Sequence, residues 1–135
     1  MADPAGVERL DADGHFDRSY GFSFLALDGE VSAAGRLVVP GSVRGAPALS
    51  RRLKSGRPDP AFGAAGITRF ALPSGLEGVL FAVRLRADGG VIGAGIATRR
   101  GDSKAVATLV VRADDRGVPD ESFGPGGVRV LPRTV

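Results

Sequence analysis

A nine-residue motif, Pro119-Asp120-Glu121-Ser122-Phe123-Gly124-Pro125-Gly126-Gly127, recurs along the chain and limits what it can fold into. Earlier copies are Phe16-Asp17-Arg18-Ser19-Tyr20-Gly21 and Pro58-Asp59-Pro60-Ala61-Phe62-Gly63-Ala64-Ala65-Gly66. Each has a Gly three residues before its Asp (Gly14, Gly56, Gly117) and an Arg eight before (Arg9, Arg51, Arg112). A second pattern, Asp28-Gly29-Glu30-Val31 to Ala34-Gly35, matches Asp88-Gly89-Gly90-Val91 to Ala94-Gly95 at an offset of 60, close to the 61 between Asp59 and Asp120. Recurrence at this spacing marks a repeat architecture, in which each unit buries its apolar face against its neighbour.

The spacing predicts four short strands per unit. In the second unit, Val79, Phe81, Val83 and Leu85 alternate with Leu80, Ala82 and Arg84, the period of a strand with one buried face. Asp88-Gly89 predicts a hairpin, since this pair accepts the positive φ of tight turns. Val91–Ile96, Ala105–Arg112 and Val128–Leu131 complete the unit, with a loop at Arg99–Ser103. Gly93-Ala94-Gly95 has no bulky side chain and predicts close approach of another backbone. The first unit reads as Phe22–Leu27, an Asp28-Gly29 turn, Val31–Leu37, Ala46–Arg52 and Ile67–Leu72, joined to the second by a linker at 73–78. The units are therefore expected at 22–72 and 79–131, one structural domain over 7–131, preceded by an N-terminal remnant at 1–21 that could latch onto a neighbouring chain.

Composition agrees. The 21 Gly, nine Pro and 43% apolar residues in 135, without a collagen period or a long amphipathic helix, suit short strands and tight turns. The fold class expected is all-β, with two four-stranded antiparallel β-propeller blades per chain. Closed propellers hold about four to eight blades, so the ring is expected to close by homo-oligomerisation: a trimer is favoured, with a tetramer or dimer as alternatives.

The stretch from Leu109 to Val128, with Ala113-Asp114-Asp115-Arg116-Gly117-Val118 leading into the motif, resembles the delta-60 repeat of bacterial proteins. Leu85 to Gly95 resembles the same repeat's Asp-Gly hairpin and small-residue strand. The resemblance covers about residues 7 to 131 and implies a β-propeller-like arrangement, commonly in long secreted or surface proteins, with no defined catalytic residues. Nothing at the N-terminus reads as a signal peptide, so the chain as given is expected to be cytoplasmic; as a fragment it would be secreted or surface-exposed.

The functional classes narrow accordingly. The formal charge is +3, and the 18 basic residues are spread along the sequence. With no Trp and one Tyr, the stacking platforms of a nucleic-acid binder are missing. There is no Cys, and no apolar run reaches membrane-spanning length. Asp17, Asp59 and Asp120 are expected to accept backbone hydrogen bonds within their own turns; Arg9, Arg51 and Arg112 are expected to pair with them. Tyr20, Phe62 and Phe123 are expected to fill the gap between units, with the Gly after each supplying unusual backbone angles. Asp11-x-Asp13-Gly14-x-x-Asp17 has some calcium-loop spacing but lacks the closing Glu. His15 is the only His, and Ser19, Ser103 and Ser122 lie in no nucleophile elbow.

No catalytic, cofactor or metal residue is therefore assigned. The expected function is a non-catalytic, self-assembling module for binding or scaffolding, with a protein, peptide or glycan ligand and with Arg36, Arg44, Arg99 and Arg100 in candidate loops. The scarcity of Trp and Tyr favours a peptide or protein over a glycan. The alternatives are a hydrolase or lyase with carboxylates at the ring axis, or an inactive fragment of a larger repeat protein.

Overall fold

The computed structural model describes residues 12–15 and 28–132. They form an all-β structure of two four-stranded antiparallel sheets. The first contains β1 (Glu30–Val31), β2 (Leu37–Val43), β3 (Ala46–Arg52) and β4 (Ile67–Arg69), paired in that order. The second contains β5 (Leu76–Leu85), β6 (Val91–Arg99), β7 (Ala105–Ala113) and β8 (Val128–Pro132), again in order. The expected strand Phe22–Leu27, the 1–21 segment up to Asp11, and the motif residues Arg9, Asp17 and Tyr20 lie outside the described residues.

The first sheet corrects the register expected for it. Val31 belongs to β1, residues 32–36 are a turn, and β2 starts only at Leu37. That turn is closed by Ser32 N–H to Arg36 O (2.9 Å) and Gly35 N–H to Ser32 O (2.9 Å). The loop after β5 has the same closure: Arg86 N–H to Gly90 O (2.8 Å) and Gly89 N–H to Arg86 O (3.0 Å). Gly35 (φ 78°) and Gly89 (φ 87°) therefore occupy equivalent positions. The counterpart of Asp88-Gly89 is thus Ala34-Gly35, not Asp28-Gly29. What the turn requires is the positive φ that Gly supplies; the Asp before it is dispensable.

Asp28 has a different task. Its carboxylate accepts from the Val83 N–H (3.0 Å) and from Arg84 Nη1 (2.9 Å), tying the start of the first sheet to the outer edge of β5. The Val83 bond chiefly holds its pKa below the ordinary value.

Strand β5 departs from plain alternation. It begins at Leu76, inside the stretch expected to be a linker, and its register shifts between Leu80 and Ala82. Phe81 is the extra residue of a β-bulge, so the core face passes from Leu80 to Val83 rather than running through Val79 and Phe81. Gly95 lies opposite, where a side chain would overlap the Val79 carbonyl. The close approach expected at the small-residue strand is therefore made by the neighbouring strand of the same sheet. At Gly93, a Cβ would lie 3.1 Å from Leu80 Cδ1 and 3.3 Å from Leu49 Cδ2, the latter from the first sheet.

The remaining bounds shift at their ends. Strand β4 stops at Arg69, short of Leu72, whereas β6 continues to Arg99, into the residues expected as a loop. A hairpin the sequence did not signal joins β2 to β3 through Arg44 (φ 50°) and Gly45 (φ 82°) alone. Two consecutive positive φ values match the right-handed twist of the flanking strands.

One core joins the sheets. Val38, Leu49, Phe62 and Phe70 from the first unit pack with Leu80, Val83, Leu109 and Val111 from the second. Strand β5 lies against β2 and β3, and each such apolar side chain stabilises the packing by about 1.5–3 kcal/mol.

Candidate functional site

The recurring motif builds a bracket at the end of each sheet. In the first, Arg51 Nε donates to Asp59 Oδ2 at 2.8 Å, with both side chains buried. Asp59 Oδ1 accepts from the Ala61 N–H (2.9 Å), the local turn expected of it. The Arg51 guanidinium stands 4.7 Å from the centre of the Phe62 ring, which is fully buried. Burial alone would raise the Asp59 pKa, but the Ala61 N–H and the charges of Arg51 and Arg36 reverse this and hold it below its ordinary value.

The second bracket repeats these contacts in a more open setting. Arg112 Nε lies 3.2 Å from Asp120 Oδ2, and Ser122 N–H donates to Asp120 Oδ1 at 3.0 Å. The Arg–Asp pairing expected from the eight-residue spacing is thus present in both copies within the described residues. Phe123 is only half-buried and is covered by Arg129, whose guanidinium stands 4.3 Å from the ring centre. The Ser122 hydroxyl is the main cause holding Asp120 below its ordinary pKa. Gly124, at φ 175°, is extended and needs no special backbone freedom. It is required for space, because a Cβ there would lie 2.5 Å from the Val128 carbonyl oxygen.

Beside the first bracket a cleft of about 700 Å³ opens between the sheets, within the range of about 300–1,000 Å³ usual for ligand sites. One wall is the 32–36 turn with Ala33, Ala34 and Arg36; the other is Leu85 to Gly89 with Arg86. Val38, Arg51 and Ala61 form the floor, and Asp115 and Arg116 border one end. The small side chains leave the space open and the arginines charge it. Arg36 reaches Asp59 at 3.6 Å, but that carboxylate already accepts from Arg51 at 2.8 Å. Arg86 approaches the exposed Asp88 at 3.7 Å. Four arginines thus line the cleft, and among the described lining residues Asp115 is the one acid and none is aromatic.

Of the four arginines expected in binding loops, only Arg36 lines this cleft. Arg44 and Arg99 lie at the far ends of β2 and β6, and Arg100 approaches Glu77 there at 3.7 Å. Arg51, Arg86 and Arg116 were missed as cleft residues. The available signal was basic residues in or beside the turns at the cleft end of the sheets, but only the pairing of the sheets shows that those turns converge.

Among the described residues, no three His, Cys, Asp or Glu side chains are grouped to hold a metal ion. The calcium-like spacing rests on Asp11 and Asp17, outside the described residues. No described helix is long and apolar enough to cross a membrane. Comparison with protein-family models, curated proteins and solved structures finds no match.

Proposed function

We propose that this chain is a non-catalytic, self-assembling module whose inter-sheet cleft binds an acidic peptide or protein segment. The observation that carries the reading is the cleft itself: Arg36, Arg51, Arg86 and Arg116 converge on a space walled by small residues. Guanidinium groups recognise carboxylates through paired N–H donors. The described lining residues include none of the aromatic faces that would stack on a sugar, which favours a peptide over a glycan.

In the same reading, the two sheets are propeller blades of the delta-60 kind, and further copies of the chain complete the ring. Closed propellers hold about four to eight blades, and three chains with roughly six fall mid-range. A ring would present the cleft several times and turn weak single-site binding into avidity. A hydrolase or lyase would need a general acid still protonated near neutral pH. Asp28, Asp59 and Asp120 are shifted the opposite way, so none of these three is such an acid.

The test is a fluorescence titration with Glu-rich, neutral and Lys-rich peptides at low and high salt, beside a glycan array and a broad hydrolase screen. Glu-rich peptides should bind, more weakly as salt rises, and Arg36→Ala with Arg116→Ala should abolish the binding. Glycan binding without peptide binding, or turnover of any hydrolase substrate, would overturn the reading.

A further inference from the structure

The first bracket is closed by a turn from the second sheet. Residues 114–118 form that turn through Asp114 N–H to Val118 O (2.9 Å) and Gly117 N–H to Asp114 O (3.0 Å). It presents three consecutive carbonyls to the first sheet. Asp115 O accepts from Arg51 Nη1 (2.6 Å), Arg116 O from the Gly63 N–H (2.9 Å), and Gly117 O from the Thr68 hydroxyl (2.6 Å). Gly117, at φ 78°, sits directly on the bracket: a Cβ would lie 2.5 Å from Thr68 Oγ1, 2.9 Å from Gly63 N and 3.1 Å from Phe62 Cδ2.

The second bracket has the same receiving parts, and no other turn among the described residues is hydrogen-bonded to them. Arg112 stands for Arg51, Gly124 for Gly63, and Arg129 takes the place of Thr68 after the equivalent strand starts, Val128 and Ile67. The consequence is exposure. Asp59 and Arg51 side chains are 2% and 9% accessible, whereas Asp120 and Arg112 are 26% and 29%.

A matching turn lies exposed elsewhere in the chain. Residues 12–15 form a turn in which Gly14 has φ +85°, three residues before Asp17 just as Gly117 precedes Asp120. A Cβ on Gly14 would meet no atom within 4 Å, whereas one on Gly117 would press on the first bracket. The third such glycine, Gly56, is already buried.

We infer that the 12–15 turn of a second copy docks on the Arg112–Phe123–Gly124 face, repeating the internal contact between chains. The Gly124 N–H donates to the Asp13 carbonyl, Arg112 to the Ala12 carbonyl, and Arg129 to the Gly14 carbonyl through guanidinium N–H groups not used on Phe123. Such a contact joins unlike surfaces and propagates head to tail, closing into a ring when the rotation allows. The inference rests on the self-assembly proposed above and names the surfaces that carry it.

Light scattering on a sizing column tests it with the intact chain, Gly14→Asn and Gly101→Asn. Asn is among the non-glycine residues that best tolerate positive φ, and Gly14 (φ +85°) and Gly101 (φ +81°) both have open space at the Cβ position. The intact chain and Gly101→Asn should form one discrete multimer. Gly14→Asn should run as a monomer with an unchanged circular dichroism spectrum. Hydrogen exchange should show the Gly124 amide protected in the multimer and unprotected in Gly14→Asn. A Gly14→Asn multimer equal to the intact chain, or equal loss in both variants, would overturn this docking and leave self-assembly through another surface standing. A monomeric intact chain at every concentration would overturn both.

Discussion

Thr68 donates its hydroxyl hydrogen to the Gly117 carbonyl oxygen at 2.6 Å, joining the two sheets across 49 residues of sequence. Both residues are buried, so the bond cannot be exchanged for water without opening the bracket. Thr68→Val keeps the shape and strands the carbonyl, and should lower unfolding stability by about 1–3 kcal/mol. Thr68→Ser should recover most of the loss. Urea denaturation measures both.

Arg51 and Asp59 should be strongly coupled. Removing either partner of a buried ion pair leaves an uncompensated charge and costs about 3–5 kcal/mol. A double-mutant cycle on Arg51→Met and Asp59→Asn should therefore show a large interaction energy. The same cycle on Arg112 and Asp120, whose side chains are 29% and 26% accessible, should give a smaller, salt-sensitive value in the monomeric Gly14→Asn background. Equal couplings would show that burial does not set the strength of the bracket.

Acid should destabilise the fold through Asp59. Its folded pKa lies below its ordinary value, so the unfolded chain binds the proton more readily. The resulting stability is complete above the unfolded value of about 3.9 and is lost as pH falls through the folded value. Asp28 and Asp120 shift the same way and add to the effect. Stability followed by denaturation should fall steeply below about pH 4, and Asp59→Asn should be less stable at neutral pH with a flatter acid dependence.

Arg44 holds φ 50° ahead of Gly45 in a two-residue hairpin. Asn-Gly is the pair this turn prefers, and left-handed backbone costs an ordinary residue about 1–2 kcal/mol. Arg44→Asn should therefore raise the thermal midpoint, with a gain of up to about 1 kcal/mol. The cleft lies at the other end of the strands, so peptide binding should be unchanged.

Local chemistry was legible in the sequence wherever it acts within a few residues. The Asp side chain that accepts the N–H two residues ahead, the Arg that pairs with it eight residues on, and the buried aromatic Phe62 all follow from residue type and spacing. So did the all-β class and most strands, because period-two alternation and glycine turns are short-range signals. Register was not legible. The Asp28-Gly29 match pointed to an offset of 60, but the hydrogen-bonded turns pair Gly35 with Gly89, 54 residues apart. Side chains on β5 were likewise misassigned as far as Phe81, since one bulged residue reverses which face is buried on either side of it. The cleft and the open bracket depend on how two sheets meet, so no local pattern announces them. The sequence by itself determined the turns, the strands and the pairs inside each bracket. Only the tertiary structure decided which bracket is covered and where the arginines converge, because packing between sheets joins residues that no short-range interaction connects.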